Sequence, residues 1–169
     1  MTHLHAGAAG ATPLDRLLNT RPQFHAVFID DYRRSIDRVD PVLIELCRLR
    51  MAVLLGSTLD ASLRLRAARS AGLDEGKLKE LANFVRSPLF SERERVCIDF
   101  AERFVLASYD IGDADVARVQ QVLTAEEFIY FVKALSVIDQ FQRTAVAFGA
   151  GPSPLPPEGL DGFAVVAVH

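Results

Sequence analysis

Four polar side chains in the first half of the sequence have the types and spacing that acid–base chemistry or ligand binding requires. Ser57, Asp60 and Arg64 are three and four residues apart, so on a continuous helix they would share one face. Glu45 lies on the apolar segment that precedes them. Ser57, Asp60 and Arg64 could together hold a small polar organic ligand, and a carboxylate such as Glu45 has the chemistry of a general base.

The residues that usually bring thiol or metal chemistry are poorly placed for it. Cys47 and Cys97 lie in segments rich in Leu, Val and Phe, where a cysteine usually serves as a small buried hydrophobe. His25 has no cluster of Cys, Asp or Glu beside it. The other three histidines lie near the ends of the sequence, at His3, His5 and His169. We therefore predict neither a metal site nor a cofactor.

Helix start and stop residues predict an all-α fold. Asp40 and Pro41 begin an almost wholly apolar helix, which Gly56 ends because glycine adopts a left-handed conformation cheaply. A further helix is predicted from about Thr58 to Ala71. Later helices are marked by Asp74, by Asp113 and by capping-box spacing in two pairs, Ser91 with Glu94 and Thr124 with Glu127.

The sequence divides into three parts. Residues 1–20 are expected to be a flexible N-terminus, and residues 21–149 to form one helical domain. Residues 150–169 form a Pro/Gly-rich tail that ends in six residues, 163–168, able to dock as a strand on the core or on a neighbouring subunit.

Composition narrows the range of partners. The net charge of −3, with acidic and basic residues interspersed, gives no basic face for nucleic acid. No apolar run reaches the ~18 residues of a membrane span, so no membrane contact is predicted. Two widely separated cysteines suit a cytoplasmic location. The apolar surplus on the helices of residues 41–55 and 125–148 predicts a homo-oligomer.

The segments IELCRLRMAVLLGS, ARSAGLDEGKLKELANFVRSPLFSERERVCIDFAERF and IDQFQRTAVAFG resemble the carboxymuconolactone decarboxylase family, in its AhpD-like alkylhydroperoxidase branch. The resemblance runs from about Asp40 to Gly149. It implies an all-helical bundle that assembles as a homo-oligomer. It also implies that the family-level activity is of the peroxidase or decarboxylase type. The motif of the active members is a glutamate, then a CxxC pair, then a histidine.

The resemblance implies that Glu45 stands at the glutamate position, Ser57 and Asp60 at the cysteine positions, and Arg64 at the histidine position. Serine and aspartate cannot form a disulfide, and a guanidinium cannot relay a proton as imidazole does. The dithiol peroxidase route is therefore not expected in this chain.

Each candidate residue also has a purely structural interpretation. Ser57 and Asp60 read as an S-x-x-D capping pair, with Asp60 also pairing with Arg64 on an exposed helix face. Glu45 and Arg48 fit a buried ion pair. Asp139 and Arg143, four residues apart, fit an intrahelical pair, or else the border of the Glu45 pocket or of a subunit interface; they complete the list of candidate site residues.

Two functions stay open at this point. The chain could be a non-redox binding or structural relative of the peroxidases, with a pocket around Glu45, Asp60 and Arg64. Alternatively, it could be a decarboxylase- or hydrolase-like enzyme that works on a small organic substrate with Glu45 as base; Ser57 is then a conceivable nucleophile without an imidazole partner.

Overall fold

The computed structural model describes residues 10–166. The first half contains α1 (Pro13–Leu18), α2 (Pro22–Ile36), α3 (Pro41–Leu55), α4 (Thr58–Ala61), β1 (Leu63–Leu65), α5 (Arg66–Ser70) and α6 (Glu75–Lys79), followed by a 3₁₀ turn at Leu81–Asn83. The second half contains α7 (Glu92–Leu106), a 3₁₀ turn at Ser108–Asp110, α8 (Asp113–Gln120), α9 (Ala125–Ala147) and β2 (Phe163–Val165). The fold is an all-α bundle with one two-stranded ribbon, as predicted.

Local capping explains where the long helices begin and end. Asp40 accepts a hydrogen bond from the Leu43 backbone at the start of α3, and Gly56 ends that helix with a φ of 70°. Both predicted capping boxes are present, at Ser91 for α7 and at Thr124 for α9. These boundaries were predictable because each depends on residues within one helical turn.

Helix α3 forms the centre of the bundle. It contacts α7 and α9 on two sides, and α4, α5 and β1 on a third. Most of its apolar residues are therefore buried, including Ile44, Leu46, Cys47 and Met51, while Val53 is 65% exposed. Much of the apolar surface of residues 41–55 is thus covered within the chain, and self-association through the rest stays a prediction.

The predicted single helix from Thr58 to Ala71 is wrong. Helix α4 stops after one turn, where the Ser62 hydroxyl donates to the Leu59 carbonyl oxygen. The next three residues form β1, which pairs antiparallel with β2 of the tail, with Leu63 opposite Val165. Pairing with residues about 100 positions away overrode a sequence of good helix formers.

The segment around α1 meets the tail residue Glu158 beside α2. Residues 13–18, expected to be flexible, instead form α1, with Leu14 and Leu18 buried in the core. Asp15 is fully buried; it closes the capping box with Thr12 and accepts a hydrogen bond from the Glu158 amide at 2.9 Å. The tail thus docks on its own core, and β2 covers residues 163–165 of the predicted strand. His3, His5 and His169 lie outside the described residues.

Within residues 10–166, no helix combines the length and the apolar character that crossing a bilayer would require.

Candidate functional site

Arg48 lies at the centre of a buried polar cluster under the tail. Glu45 is one helical turn before it on α3, and both side chains are about 1% exposed. The guanidinium grips the carboxylate with two parallel bonds, from Nε to Oε2 at 2.8 Å and from Nη2 to Oε1 at 2.9 Å. This bidentate geometry is the strongest form of an Arg–carboxylate pair. The sequence-based interpretation of Glu45 and Arg48 as a buried pair is therefore confirmed.

Asp60 of α4 closes the other side of the same guanidinium. Arg48 Nη1 donates to Asp60 Oδ1 at 2.7 Å and to the Asp60 carbonyl oxygen at 2.8 Å, while Nη2 also donates to the Leu63 carbonyl oxygen. Gln142 of α9 donates its amide to Asp60 Oδ2, and the Tyr32 hydroxyl lies 3.3 Å from Asp60 Oδ1. Tyr32, Glu45, Arg48, Asp60 and Gln142 together are called the Arg48 cluster below.

The Arg48 cluster carries one positive and two negative formal charges. Burial raises the pKa of Asp60, although Arg48 opposes that shift. Burial opposes the charge on Arg48 too, but Glu45 and Asp60 hold its pKa well above the ordinary value. Burial, with Asp60 nearby, raises the pKa of Tyr32 well above normal, so its hydroxyl stays a donor. The cluster holds its charges by internal pairing and not by solvent.

The tail seals this cluster. The Phe163 ring centre lies 5.2 Å from the Arg48 guanidinium carbon, a cation–π contact. The Leu65 amide donates to Glu45 Oε1 at 3.0 Å, and the Val166 amide donates to the Ser62 carbonyl oxygen at 2.8 Å. Both Glu45 oxygens are thereby occupied by donors. The expected open pocket around Glu45 and Asp60 is wrong, because β1 and β2 close over them.

Ser57 does not cap α4, so the predicted S-x-x-D capping pair is wrong. Its side chain makes no capping bond, and its backbone φ and ψ of −78° and 88° lie outside the usual extended range. Asp60 cannot reach back, because Arg48 holds its carboxylate. The Ser57 hydroxyl is buried without a hydrogen-bond partner in residues 10–166, as is Gln142 Oε1. The Ser57 hydroxyl is therefore not hydrogen-bonded to a base among the described residues.

Arg64 lies in β1 and not on the same helix as Asp60, so the predicted shared face of Ser57, Asp60 and Arg64 is wrong. In β1 the side chains alternate, with Leu63 and Leu65 buried and Arg64 on the opposite face. Its Nη1 donates to the Ala61 carbonyl oxygen at 2.8 Å, and its Nε lies 3.3 Å from Glu75 Oε1. The predicted pairing of Asp60 with Arg64 is replaced by this contact with Glu75.

Two cavities lie near these elements. Arg64 lines one of about 270 Å³, between α3, β1 and the α6 region. A larger one, of about 660 Å³, lies between α2 and residues 158–163, and none of the predicted site residues lines it. Neither cavity is lined by Glu45, Ser57 or Asp60.

Asp139 and Arg143 form the intrahelical pair that their spacing suggested. Arg143 Nε lies 2.8 Å from Asp139 Oδ1, and Nη2 donates to the Val105 carbonyl oxygen at the end of α7. The Arg143 side chain is about half exposed. Within residues 10–166, neither side chain forms a hydrogen bond or ion pair with the Arg48 cluster, so the structure does not place them at the border of Glu45.

The thiols and the helical histidine are packed groups. Cys47 and Cys97 are both free and buried. Burial raises the pKa of the Cys97 thiol to about 12 and that of Cys47 well above normal, which disfavours the reactive thiolate. His25 Nδ1 lies 2.7 Å from Asn19 Oδ1, and its Nε2 lies 3.4 Å from Asp15 Oδ1 without hydrogen-bond alignment.

The sequence did not predict that Tyr32, Gln142 and Phe163 would pack around Arg48 and Asp60. Tyr32 belongs to the inward stripe of α2 with Phe28 and Ile36, which indicates burial but not a polar partner. Gln142 is a polar residue in an apolar stretch of α9, which could have marked it as a buried donor. Phe163 had no such sign, because its place over Arg48 depends on the path of the tail.

Comparison with solved structures identifies the architecture. A protein of unknown function from Agrobacterium tumefaciens, provisionally described as the antioxidant defence protein AhpD, superposes with a TM-score of 0.70 at 18% identity, covering 79% of this chain and 92% of that one. A peroxidase-related protein from Silicibacter sp. TM1040 gives a TM-score of 0.70 at 17% identity over 84% of this chain and 76% of that one. This chain has the AhpD-like fold.

The debrominase Bmp8 shares this AhpD-like fold. Its apo structure gives a TM-score of 0.73 at 14% identity, over 89% of this chain and 82% of that one. No protein-family model matches the sequence. No curated protein sequence matches it either. The similarity at this level of identity establishes the fold and leaves the activity to be argued from the site.

Proposed function

We propose that this AhpD-like chain is a non-redox protein that binds a small organic ligand, and that dithiol peroxidase chemistry has been lost. One observation carries the proposal: Arg48 ties Glu45 and Asp60 into a closed buried cluster where the family resemblance implies the reactive motif. At the two positions where the resemblance implies thiols, this chain has the hydroxyl of Ser57 and the carboxylate of Asp60. Neither can exchange with a disulfide.

The two cysteines offer no substitute for the missing pair. Both are buried, and burial raises the pKa of each thiol. A thiol must ionise and be reachable before it attacks a peroxide. Buried, protonated thiols support a non-redox role.

The alternative of acid–base catalysis with Glu45 as base is disfavoured by the same geometry. Three donors bind its two oxygens, two from Arg48 and one from the Leu65 amide. Both oxygens are therefore already bound to donors inside a buried cluster, and neither is exposed to a substrate proton. The Ser57 hydroxyl is buried and has no base beside it among the described residues, which disfavours it as a nucleophile.

Ligand binding is supported on the outer side of the same segment. Arg64 lines the cavity of about 270 Å³, and its guanidinium is only partly buried. A variant of Bmp8 with the same fold was solved in complex with 2,3,4-tribromopyrrole, so this architecture accommodates a small ring in at least one protein. We propose a small polar organic ligand here as well.

The proposal includes a cytoplasmic location and self-association. Two free buried thiols without a disulfide suit a reducing compartment. On α9 and just after it, Ile129, Val146 and Phe148 are 68%, 45% and 40% exposed, and they are the natural part of a subunit interface. Light scattering at micromolar protein tests the interface, and a monomer at all concentrations would contradict it.

Peroxide turnover tests the non-redox proposal. The purified chain is mixed with an organic hydroperoxide and a dithiol reductant, and peroxide loss is followed over time. We expect a rate no higher than that of the reductant alone, in the parent chain and in a Cys47→Ser, Cys97→Ser variant. Turnover well above the reductant, lost in that double variant, would show a working thiol route and overturn the proposal.

A further inference from the structure

The cavity beside Arg64 has an apolar floor. Six of its lining side chains are apolar: Leu49, Val53, Ala61, Leu78, Leu81 and Ala82. Leu49 and Val53 are four residues apart, so they form one face of α3, and Arg48 lies on the buried side of the same helix. The volume of about 270 Å³ falls just below the ~300 Å³ lower limit for drug-sized ligands, so a single ring or a short chain fits it.

The charged side chains around this floor are all cationic. Arg50, Arg64 and Lys79 line the cavity, and no carboxylate does. Arg50 is paired with Glu102, and Arg64 is weakly paired with Glu75 at 3.3 Å. The Lys79 ammonium makes no hydrogen bond or ion pair with any residue of the described range 10–166.

Hydrogen-bond donors remain available at this rim. The bonds of Arg64 use Nε and Nη1, which leaves Nη2 without a partner in residues 10–166. The bond from Arg50 to Glu102 uses Nε, and its two terminal nitrogens make none in that range. Within residues 10–166, Arg50 thus keeps two terminal nitrogens and Arg64 keeps one as donors for a carboxylate.

We propose that this cavity binds a small organic anion, a carboxylate on a single ring or short apolar chain, with its charge at Arg64 and Lys79. The inference rests on the proposed non-redox function and names its ligand class. The apolar part lies on the α3 face and the α6 region, and the carboxylate meets the cationic rim. An uncharged ligand of the same shape leaves the donors of this rim without a charged acceptor and binds more weakly.

Three matched probes test the charge requirement. Benzoate, benzamide and benzylammonium have the same ring and differ in the charge of one small group, so saturation-transfer NMR with the full chain can rank their affinities. Benzoate should bind saturably and most tightly, benzamide more weakly, and benzylammonium not at all. Rising salt should weaken only benzoate, because ions screen its pairing. Equal affinities for all three, or no saturable benzoate binding, would overturn the proposal.

Exposed variants locate the site without threatening the fold. Lys79→Gln removes the unpaired cation and should weaken benzoate about two- to five-fold, the range of one exposed ion pair. Val53→Asp places an anion at the 65% exposed position beside the cavity and should abolish benzoate binding. Arg69→Gln is the matched control, because Arg69 is exposed, has no ion pair in residues 10–166 and does not line the cavity. Equal losses in Lys79→Gln and Arg69→Gln would overturn the placement.

The two proposals fail separately. Peroxide turnover by the thiols would overturn the non-redox function whatever benzoate does. Absence of benzoate binding in a chain without peroxide turnover would overturn the anion site alone. Benzoate affinity that falls as the protein concentration rises would show that a second copy covers the cavity, and this outcome also contradicts the proposal.

Discussion

The charged side chains on the two faces of residues 57–65 differ in burial and in pairing. On the inner face, Asp60 is fully buried and its carboxylate is held by Arg48 and Gln142. On the outer face, Arg64 is partly exposed, and its Nη2, beside a cavity, has no hydrogen-bond partner in residues 10–166. The end of α4 at Ala61 and the alternation of side chains in β1 separate these outcomes. The comparison teaches that burial forces the inner charges of this segment to pair with each other, whereas the outer Arg64 is the charge that our proposal assigns to a ligand.

The largest effect should come from breaking the inner pairing. Arg48→Met leaves two buried carboxylates without their partner, and we expect a loss of about 3–5 kcal/mol in the free energy of unfolding. Urea denaturation measures it. The matched control is Arg103→Met, because Arg103 is about half exposed and pairs with Asp99 and Asp115 at the surface. It should cost less than about 1 kcal/mol. Similar losses in both variants would show that the inner cluster has no special role.

The seal over the cluster should come next. Phe163→Ala removes a ring that is 3% exposed, and we expect a loss near 3 kcal/mol, at the lower end for buried aromatics because β2 is short. Hydrogen exchange at the Leu65 amide, which donates to Glu45, should also accelerate. Leu155→Ala in the same tail is the control, since Leu155 is 57% exposed. An unchanged Leu65 exchange rate would contradict the role of Phe163 as a seal.

A substitution at Ser57 tests whether its hydroxyl caps α4 or is only buried without a partner. Because its hydroxyl has no partner in residues 10–166, Ser57→Ala should leave stability unchanged or raise it by up to about 1 kcal/mol. Thr124→Ala, which removes a real cap of α9, should cost about 1 kcal/mol. Thermal unfolding compares the two. A loss in Ser57→Ala as large as in Thr124→Ala would restore the capping interpretation.

The smallest effect is a pH dependence at Asp60. Burial raises the pKa of Asp60 above its ordinary 3.8, so the folded state binds this proton more tightly than the unfolded state does. The stability it adds is therefore present below pH 3.8 and is lost as pH rises through the folded pKa. As pH rises across that window, the unfolding free energy of the parent chain should fall relative to that of Asp60→Asn, whose side chain does not titrate. A parent chain that gains stability relative to Asp60→Asn as pH rises would show that Arg48 outweighs burial.

Local features were predictable from the sequence and distant pairings were not. The caps at Asp40, Ser91 and Thr124 and the end of α3 at Gly56 depend on neighbours within a turn, and all are present. The helix expected from Thr58 to Ala71 failed because Leu63–Leu65 pairs with the tail.

The site follows the same rule. The pair of Glu45 with Arg48 lies one turn apart and could be inferred. Asp60 meets Arg48 only because α4 folds back on α3, so its pairing with Arg64 was predicted instead. The cavity is lined by α3 and by residues about 30 positions later, Lys79 among them. No local sequence pattern predicts that these two segments lie side by side.

The most direct test compares the outer cavity and the inner cluster in one ligand titration. Amide chemical shifts of the labelled chain are followed by NMR as benzoate is added. The account predicts saturable shifts at Lys79 and Ala82, which line the cavity, and none at Leu65, whose amide lies under the seal. Shifts centred on Leu65, with Lys79 and Ala82 unmoved, would show that the inner cluster opens to ligand and would contradict the account.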